Sequence, residues 1–253
     1  MTVLDLAELR VQQGGFRLEL DRWQLRGGCF HALLGCNGAG KSTLLKAIAG
    51  DLPHRGRLLL HGTPLAGWSS MERARHLAVL PQVSQLGFAF SAAEVVALGA
   101  LPLSLGWRER ERAVRRVMAM AGCRPLADKS YPRLSGGEKQ RVHLARVLLQ
   151  LSQAERPPVL LLDEPTSAQD LGQQHSILNL ARSLAGESGY AVLGVLHDLN
   201  QALRYSHHCS LLAAGRLVQE GVPGVVLTPE NVEAVWHYPA VWAVDGSGRR
   251  MLC

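Results

Sequence analysis

The chain has 253 residues, 47% of them hydrophobic, and its 27 basic and 21 acidic side chains leave a formal net charge of +6; that supports one large domain, or one domain with a subdomain. Its basic residues are scattered and aromatics make up only 5%, which speaks against a dedicated nucleic-acid surface, so no nucleic-acid partner is expected. Five cysteines without a C-x-x-C pair fit reduced thiols in a cytosolic protein better than a disulfide framework or a zinc site.

At the N-terminus no basic region precedes an apolar run, so no signal peptide is expected. Residues 2–10 and 16–20 alternate apolar and polar around Gly14-Gly15, the pattern of a β-hairpin with short strands. Residues 30–34 read as a short buried strand that runs into a glycine-rich loop and a helix. A strand at 57–62, a helix at 69–75 and a strand at 77–80 follow, the last stopping at Pro81-Gln82. From 88 to about 153 only helix-period spacing is found, at 91–99, 109–121 and 136–151. Strand signals return after Pro157-Pro158, at 159–162, 191–196, 209–213 and 216–219, with helices at 171–184, 199–205 and 229–236. His207-His208 reads as a surface turn. Together these predict an α/β core interrupted by a helical subdomain of about 65 residues, around 88–155.

Residues 87–107 are mostly apolar, but Glu94 and Pro102 interrupt them, and Ser91-Ala92-Ala93-Glu94 has capping-box spacing. A spanning helix does not open with a cap in its own middle, so the chain reads as soluble with an apolar patch to be explained.

The stretch Gly35-Cys36-Asn37-Gly38-Ala39-Gly40-Lys41-Ser42-Thr43 fits G-x-x-x-x-G-K-[ST] between a strand and a helix. Its glycines let the backbone wrap phosphate oxygens, and the free N–H groups opening the helix point at the anion. Lys41 would reach the β- and γ-phosphates, and the Ser42 hydroxyl would ligate Mg²⁺. This is a nucleotide site.

Three other strand ends carry matching chemistry. Val159-Leu160-Leu161-Leu162-Asp163-Glu164 is a buried-strand run closed by two carboxylates. Asp163 would hold Mg²⁺ through water, and Glu164 would polarise water for attack on the γ-phosphate. Gln82 would bridge Mg²⁺ and that water, and His197 would donate to the γ-phosphate and partner Glu164. Singly, Gln82 and His197 read first as ordinary polar residues at strand ends; together with the two carboxylates they outline a hydrolytic site.

Leu134-Ser135-Gly136-Gly137-Glu138 is a second anion-binding helix start, with Ser135 and Glu138 at capping-box spacing. One nucleotide does not need it in cis, so another phosphate meets it, one source being a second copy of the chain.

At this point the chain resembles the ATP-binding cassette (ABC) ATPases. The P-loop, the Gln82 loop, the Ser135 signature, the 159–164 strand, Pro165-Thr166-Ser167-Ala168-Gln169-Asp170 and His197 occur in that family's order across residues 2–236. The resemblance implies a P-loop NTPase (RecA-like) core with an antiparallel β layer, over about 1–87 and 156–226. It implies an inserted helical signature subdomain over about 88–155 and a C-terminal helix and tail over about 227–253. It also implies a head-to-tail dimer sandwiching two ATPs, in which Ser135 and Gly137 of one copy, with Gly136 between them, meet the nucleotide on the other's Lys41.

Within the family, Phe88-Ala89-Phe90-Ser91-Ala92-Ala93-Glu94-Val95-Val96-Ala97-Leu98-Gly99, Gln140-Arg141-Val142-His143-Leu144-Ala145-Arg146-Val147-Leu148 and Val195-Leu196-His197-Asp198-Leu199-Asn200 resemble the ATPases of importers for haem, ferric siderophores and cobalamin. Together with the long connection at 150–158, they are most similar to the haem importers. The resemblance implies a peripheral place on the cytoplasmic face of the bacterial inner membrane. It implies two permease subunits contacting the region from Gln82 to Trp107, and a periplasmic binding protein as an indirect partner. A soluble ABC ATPase outside transport is the rival reading, and would want coiled-coil insertions, tandem cassettes or basic arms that this chain lacks. Two residues depart from the family pattern: Cys36 stands at a usual proline, and Gln169 at a usual leucine in a position expected to face the dimer partner. Phe16 is the candidate for stacking on adenine.

Overall fold

Continuous apolar runs become buried central strands, and alternating runs become strands with one wet face. The computed structural model describes residues 1–82, 89–167, 169–246 and 248–253. β1 (Thr2–Gln13) and β2 (Phe16–Arg26) pair as an antiparallel hairpin. These strands are 12 and 11 residues long, not short as the alternation suggests. The reason is a bulge: against the strand on its other side, β1 shifts register between Ala7 and Arg10, with Glu8 at φ 53°. The extra residue breaks the period of two while the hydrogen-bonded strand continues.

β3 (Cys29–Leu34), buried along its whole length, runs into the glycine-rich loop and α1 (Lys41–Ala49). β4 (Arg55–Leu60), β5 (Thr63–Pro64), α2 (Ser70–His76) and β6 (Leu77–Leu80) follow. A helical stretch comes next, with α3 (Ala92–Ala97), α4 (Trp107–Met120) and α5 (Gly136–Gln150). The chain then returns to strands through β7 (Val159–Asp163), α6 (Leu171–Ser188), β8 (Ala191–Val195), α7 (Leu199–Tyr205), β9 (His208–Ala213) and β10 (Arg216–Gly221). It closes with α8 (Pro223–Val226), α9 (Pro229–Trp236) and a small hairpin, β11 (Trp242–Val244) and β12 (Arg250–Leu252).

Among the described residues ten strands join one sheet in the order β5-β4-β1-β2-β10-β9-β3-β8-β7-β6. From β9 to β6 every neighbouring pair is parallel. The carboxyl ends of β3, β8, β7 and β6 therefore open on one edge, where α/β sheets hold ligands. At the other end of the sheet β5, β4, β1 and β2 are antiparallel.

Alternate residues of the central strands feed two cores. Phe30, Ala32, Leu160, Leu162 and Val192 face a cluster with α5, α6 and α9, while Leu33, Leu161, Leu193 and Val195 face α1 and the β1–β2 layer. Ala92, Val95, Val96 and Ala100 of the apolar stretch 87–107 lie in the first of these cores, but Leu101 and Trp107 are 73% and 68% exposed. The part of the expected permease contact at 83–88, Phe88 included, lies outside the described residues. His207 is no surface turn: its Nδ1 accepts the Phe30 N–H at 2.9 Å, which ties the chain to the start of β3. Among the described residues no helix is long and apolar enough to cross a membrane.

Candidate nucleotide site

Gly35, Gly38 and Gly40 give the loop after β3 its positive-φ turns, and at two of them a side chain would also collide with a neighbour. Gly35 has φ 149°, and a Cβ there would lie 2.1 Å from the Leu212 carbonyl oxygen. Gly40, at φ 104°, caps α1 with its Cα face 2.8 Å from the Phe16 ring, measured to the Cβ it lacks. Phe16, the expected adenine partner, thus sits at the loop's helical end. Asn37 and Gly38 are exposed, while Ala39 is buried and its carbonyl accepts the Gly215 N–H at 3.0 Å. The Thr43 hydroxyl faces Gln13 at 3.4 Å.

Lys41 is 6% exposed. Its Nζ donates to the carbonyls of Gly35 at 2.7 Å and Cys36 at 3.0 Å, curling back across the loop. Burial lowers its pKa, with Glu164 and Asp163 pulling the other way. Ser42 Oγ points at Asp163 Oδ1, 3.4 Å away. Burial raises the Asp163 pKa, and the neighbouring Glu164 charge adds to the effect.

That donor set fits Mg²⁺. A hydroxyl and a carboxylate oxygen face each other, and a carboxylate destabilised by burial and a like charge favours a cation beside it. Among the described residues no cluster of three or more His, Cys, Asp or Glu could hold a metal by itself. Mg²⁺ asks for no such cage, since it takes one or two protein oxygens and completes its shell with phosphates and water.

Glu164 directly follows β7 at φ 51°, a left-handed conformation that is strained for a residue with a Cβ. Both of its carboxylate oxygens are engaged. Oε2 accepts from Gln82 Nε2 at 2.6 Å, and Oε1 lies 2.7 Å from His197 Nε2. The ends of β6, β7 and β8 are thus brought together, as their sequences suggest. Asp198 accepts from the N–H groups of Asn200 and Gln201 and so caps α7 directly behind His197.

The signature segment is built as its spacing predicts. Ser135 N–H donates to Glu138 Oε2 at 2.9 Å, and Glu138 N–H donates to Ser135 Oγ at 3.3 Å. Bonding to the Ser135 backbone holds the Glu138 carboxyl below its usual range, helped by Lys129. Ser135 and Gly136 are exposed and Gly137 is half-buried. Among the described residues no hydrogen bond or ion pair joins Ser135, Gly136 or Gly137 to the glycine-rich loop.

The sequence reading missed the contacts between these parts. Gln140, buried in α5, donates to the Glu164 carbonyl at 3.3 Å. Gln169, half-buried at the position expected to face a partner, is bonded within the chain: its amide donates to the Gly137 carbonyl at 2.9 Å and to Gln140 Oε1 at 2.8 Å, and accepts from Arg141 Nη1 at 3.0 Å. A glutamine can satisfy groups near a helix start that a leucine cannot, and nothing in the spacing of residues 29 positions apart announces the pairing.

The profile of the ABC transporter family matches residues 18–167. The chain belongs to that family. As an ATP-binding cassette it binds and hydrolyses ATP. It is 53% identical over 217 residues to the hemin import ATP-binding protein HmuV of Shewanella denitrificans, a match covering 85% of each chain. Among solved structures it resembles a subunit of an inward-facing putative metal-chelate type ABC transporter, with TM-score 0.82 and 25% identity over 100% of this chain and 96% of that one. It also resembles the ATP-binding cassette MJ0796, a dimer in a post-hydrolysis state bound to ADP and phosphate, with TM-score 0.74 and 26% identity over 87% of this chain and 98% of that one.

Proposed function

We propose that this chain is the ATP-hydrolysing subunit of a hemin importer. It works as a head-to-tail homodimer on two permease subunits, peripheral to the cytoplasmic face of the inner membrane. The observation that carries the catalytic reading is the Glu164 carboxylate held between Gln82 and His197 at the edge of the sheet where Lys41 and Ser42 lie. The cargo reading is supported by the hemin import relative, which matches along 85% of the chain at 53% identity.

In this reading the amides of residues 36–43 and Lys41 hold the phosphates, with Lys41 exchanging two carbonyl acceptors for phosphate oxygens. Ser42 and Asp163 would hold Mg²⁺, which supplies charge neutralisation at the phosphates. Glu164 accepts a proton from water as the water oxygen bonds to the γ-phosphorus and the bond to ADP breaks, giving ADP and phosphate. Each Glu164 oxygen meets one neighbour, Gln82 or His197, and keeps a second lone pair that can accept from the attacking water. The exposed Ser135 and Gly136, with Gly137, complete the site of the other copy, and closure around two ATPs drives the permease through the region from Gln82 to Trp107. Phe16 stacks on the adenine. The permease and a periplasmic binding protein choose the cargo, and no residue of this chain need touch haem.

Co-expression with its permease in a host lacking haem uptake tests the assignment. Growth on hemin as sole iron source, abolished by Lys41→Ala, is expected. Growth restored only on cobalamin or a ferric siderophore moves the cargo to that relative group.

A further inference from the structure

The residue that replaces the family's usual proline in the P-loop makes a contact proline cannot make. Cys36 Sγ donates to the Val235 carbonyl at 3.0 Å. Val235 lies in the last turn of α9, where backbone carbonyls have no partner inside the helix. His237 ends that helix in a left-handed conformation and uses its own N–H on Glu233. The thiol therefore supplies a donor that the helix end lacks. The Cys36 carbonyl in turn accepts from Lys41 Nζ, so the position of α9 is passed to the lysine through one residue.

The same C-terminal segment grips the site a second time. Asn200 Nδ2 donates to the Leu252 carbonyl at 2.9 Å, and the Leu252 N–H donates to Asn200 Oδ1 at 2.8 Å. A side-chain amide thereby pairs with a peptide unit through two bonds, as a neighbouring strand would. Leu252 is held in the hairpin opposite Trp242, and its side chain lies in the same core as Val235. Asn200 stands in the first turn of α7, which Asp198 caps just behind His197.

We propose that α9 and the strands β11 and β12 form a strap that sets the geometry of the nucleotide site, with Cys36 and Asn200 as positioning residues. Cys36 fixes the P-loop and so governs ATP affinity. Asn200 fixes the turn carrying His197 and so governs turnover. The inference rests on the ATPase reading of the site and goes beyond it by joining a distant segment to two of its loops.

Steady-state phosphate release by the full chain, titrated with ATP, separates the two arms. Cys36→Ala is expected to raise KM about fivefold with little change in kcat, and Cys36→Ser, which keeps a donor, to restore it. Asn200→Ala is expected to lower kcat about fivefold at unchanged KM. Leu252→Pro, which deletes the N–H facing Asn200, should do the same, and the double variant should be no worse than either single one. Wild-type kinetics in Cys36→Ala and Asn200→Ala, or losses that multiply in the double variant, would overturn the strap. Amide hydrogen exchange in the same variants reads the strap without hydrolysis: faster exchange at 36–41 and 197–200 supports it, and unchanged exchange overturns it. An inactive wild-type chain would instead overturn the ATPase reading alone.

Discussion

His197 Nε2 lies 2.7 Å from Glu164 Oε1, although the two residues follow different strands, β8 and β7. Those strands are parallel neighbours, so their carboxyl ends stay side by side while their loops go separate ways. The pair is a product of topology, and its value is that a histidine can hold a carboxylate in place while leaving its charge intact.

Glu164→Gln keeps the volume and the contact distances but removes the proton acceptor. We expect kcat to fall by about 10²–10⁴ with ATP binding retained, and gel filtration to show a dimer only when ATP is present. Unimpaired phosphate release would remove Glu164 from its role.

Gly35→Ala tests the backbone of the loop. The added methyl meets the Leu212 carbonyl of β9 at 2.1 Å, and no side-chain rotation relieves a clash with backbone. We expect a strain of about 1–3 kcal/mol, seen as a lower melting temperature, and loss of fluorescent ATP-analogue binding. Normal binding at normal Tm would show that the loop can relax.

Gln169→Leu restores the family's usual residue and strands its partners. The Gly137 carbonyl, Gln140 Oε1 and Arg141 each lose a bond, at a cost of about 1–3 kcal/mol for the buried groups. In a chain of this size that is a Tm lower by about 2–12 °C, as scanning calorimetry would read it. An unchanged Tm would mean this network contributes nothing to the fold.

Two buried histidines set a pH dependence. Burial lowers His31 to about 3 and His143 to about 4, from an ordinary 6.5. The unfolded chain thus binds more protons than the folded one between these values and 6.5. Stability is complete above about pH 6.5 and falls as the pH drops through this window, by roughly 1–2 kcal/mol per histidine on going from pH 7 to 5. His31 is bonded to Ser210 and His143 to Tyr131. Their glutamine variants should lose stability at pH 7 yet show a shallower decline in urea midpoint toward pH 5. A decline parallel to wild type would place the acid sensitivity elsewhere.

Local chemistry made much of this molecule readable. The P-loop, the capping box at Ser135 and the strand ending at Asp163 depend on residues within a few positions of each other, and spacing alone reveals them. The parallel sheet then made Gln82, Glu164 and His197 neighbours, which follows from strand direction and not from any one motif. What stayed hidden depends on distance in the chain. The Glu8 bulge concealed the length of β1, because an added residue inverts the pattern beyond it. Gln169 with Gly137, Cys36 with Val235 and Asn200 with Leu252 each join side chain to backbone, and a backbone carbonyl leaves no mark in a sequence.

The two cores share the same central strands, one drawing on Phe30 and Ala32 of β3, the other on the adjacent Leu33. Neither layer can melt by itself, because loosening one face frees the strands that support the other. The molecule should therefore denature in a single concerted step. ATP bound at one edge of the sheet would raise the whole transition and slow amide exchange in the outer strands β1 and β2 as well as in β3.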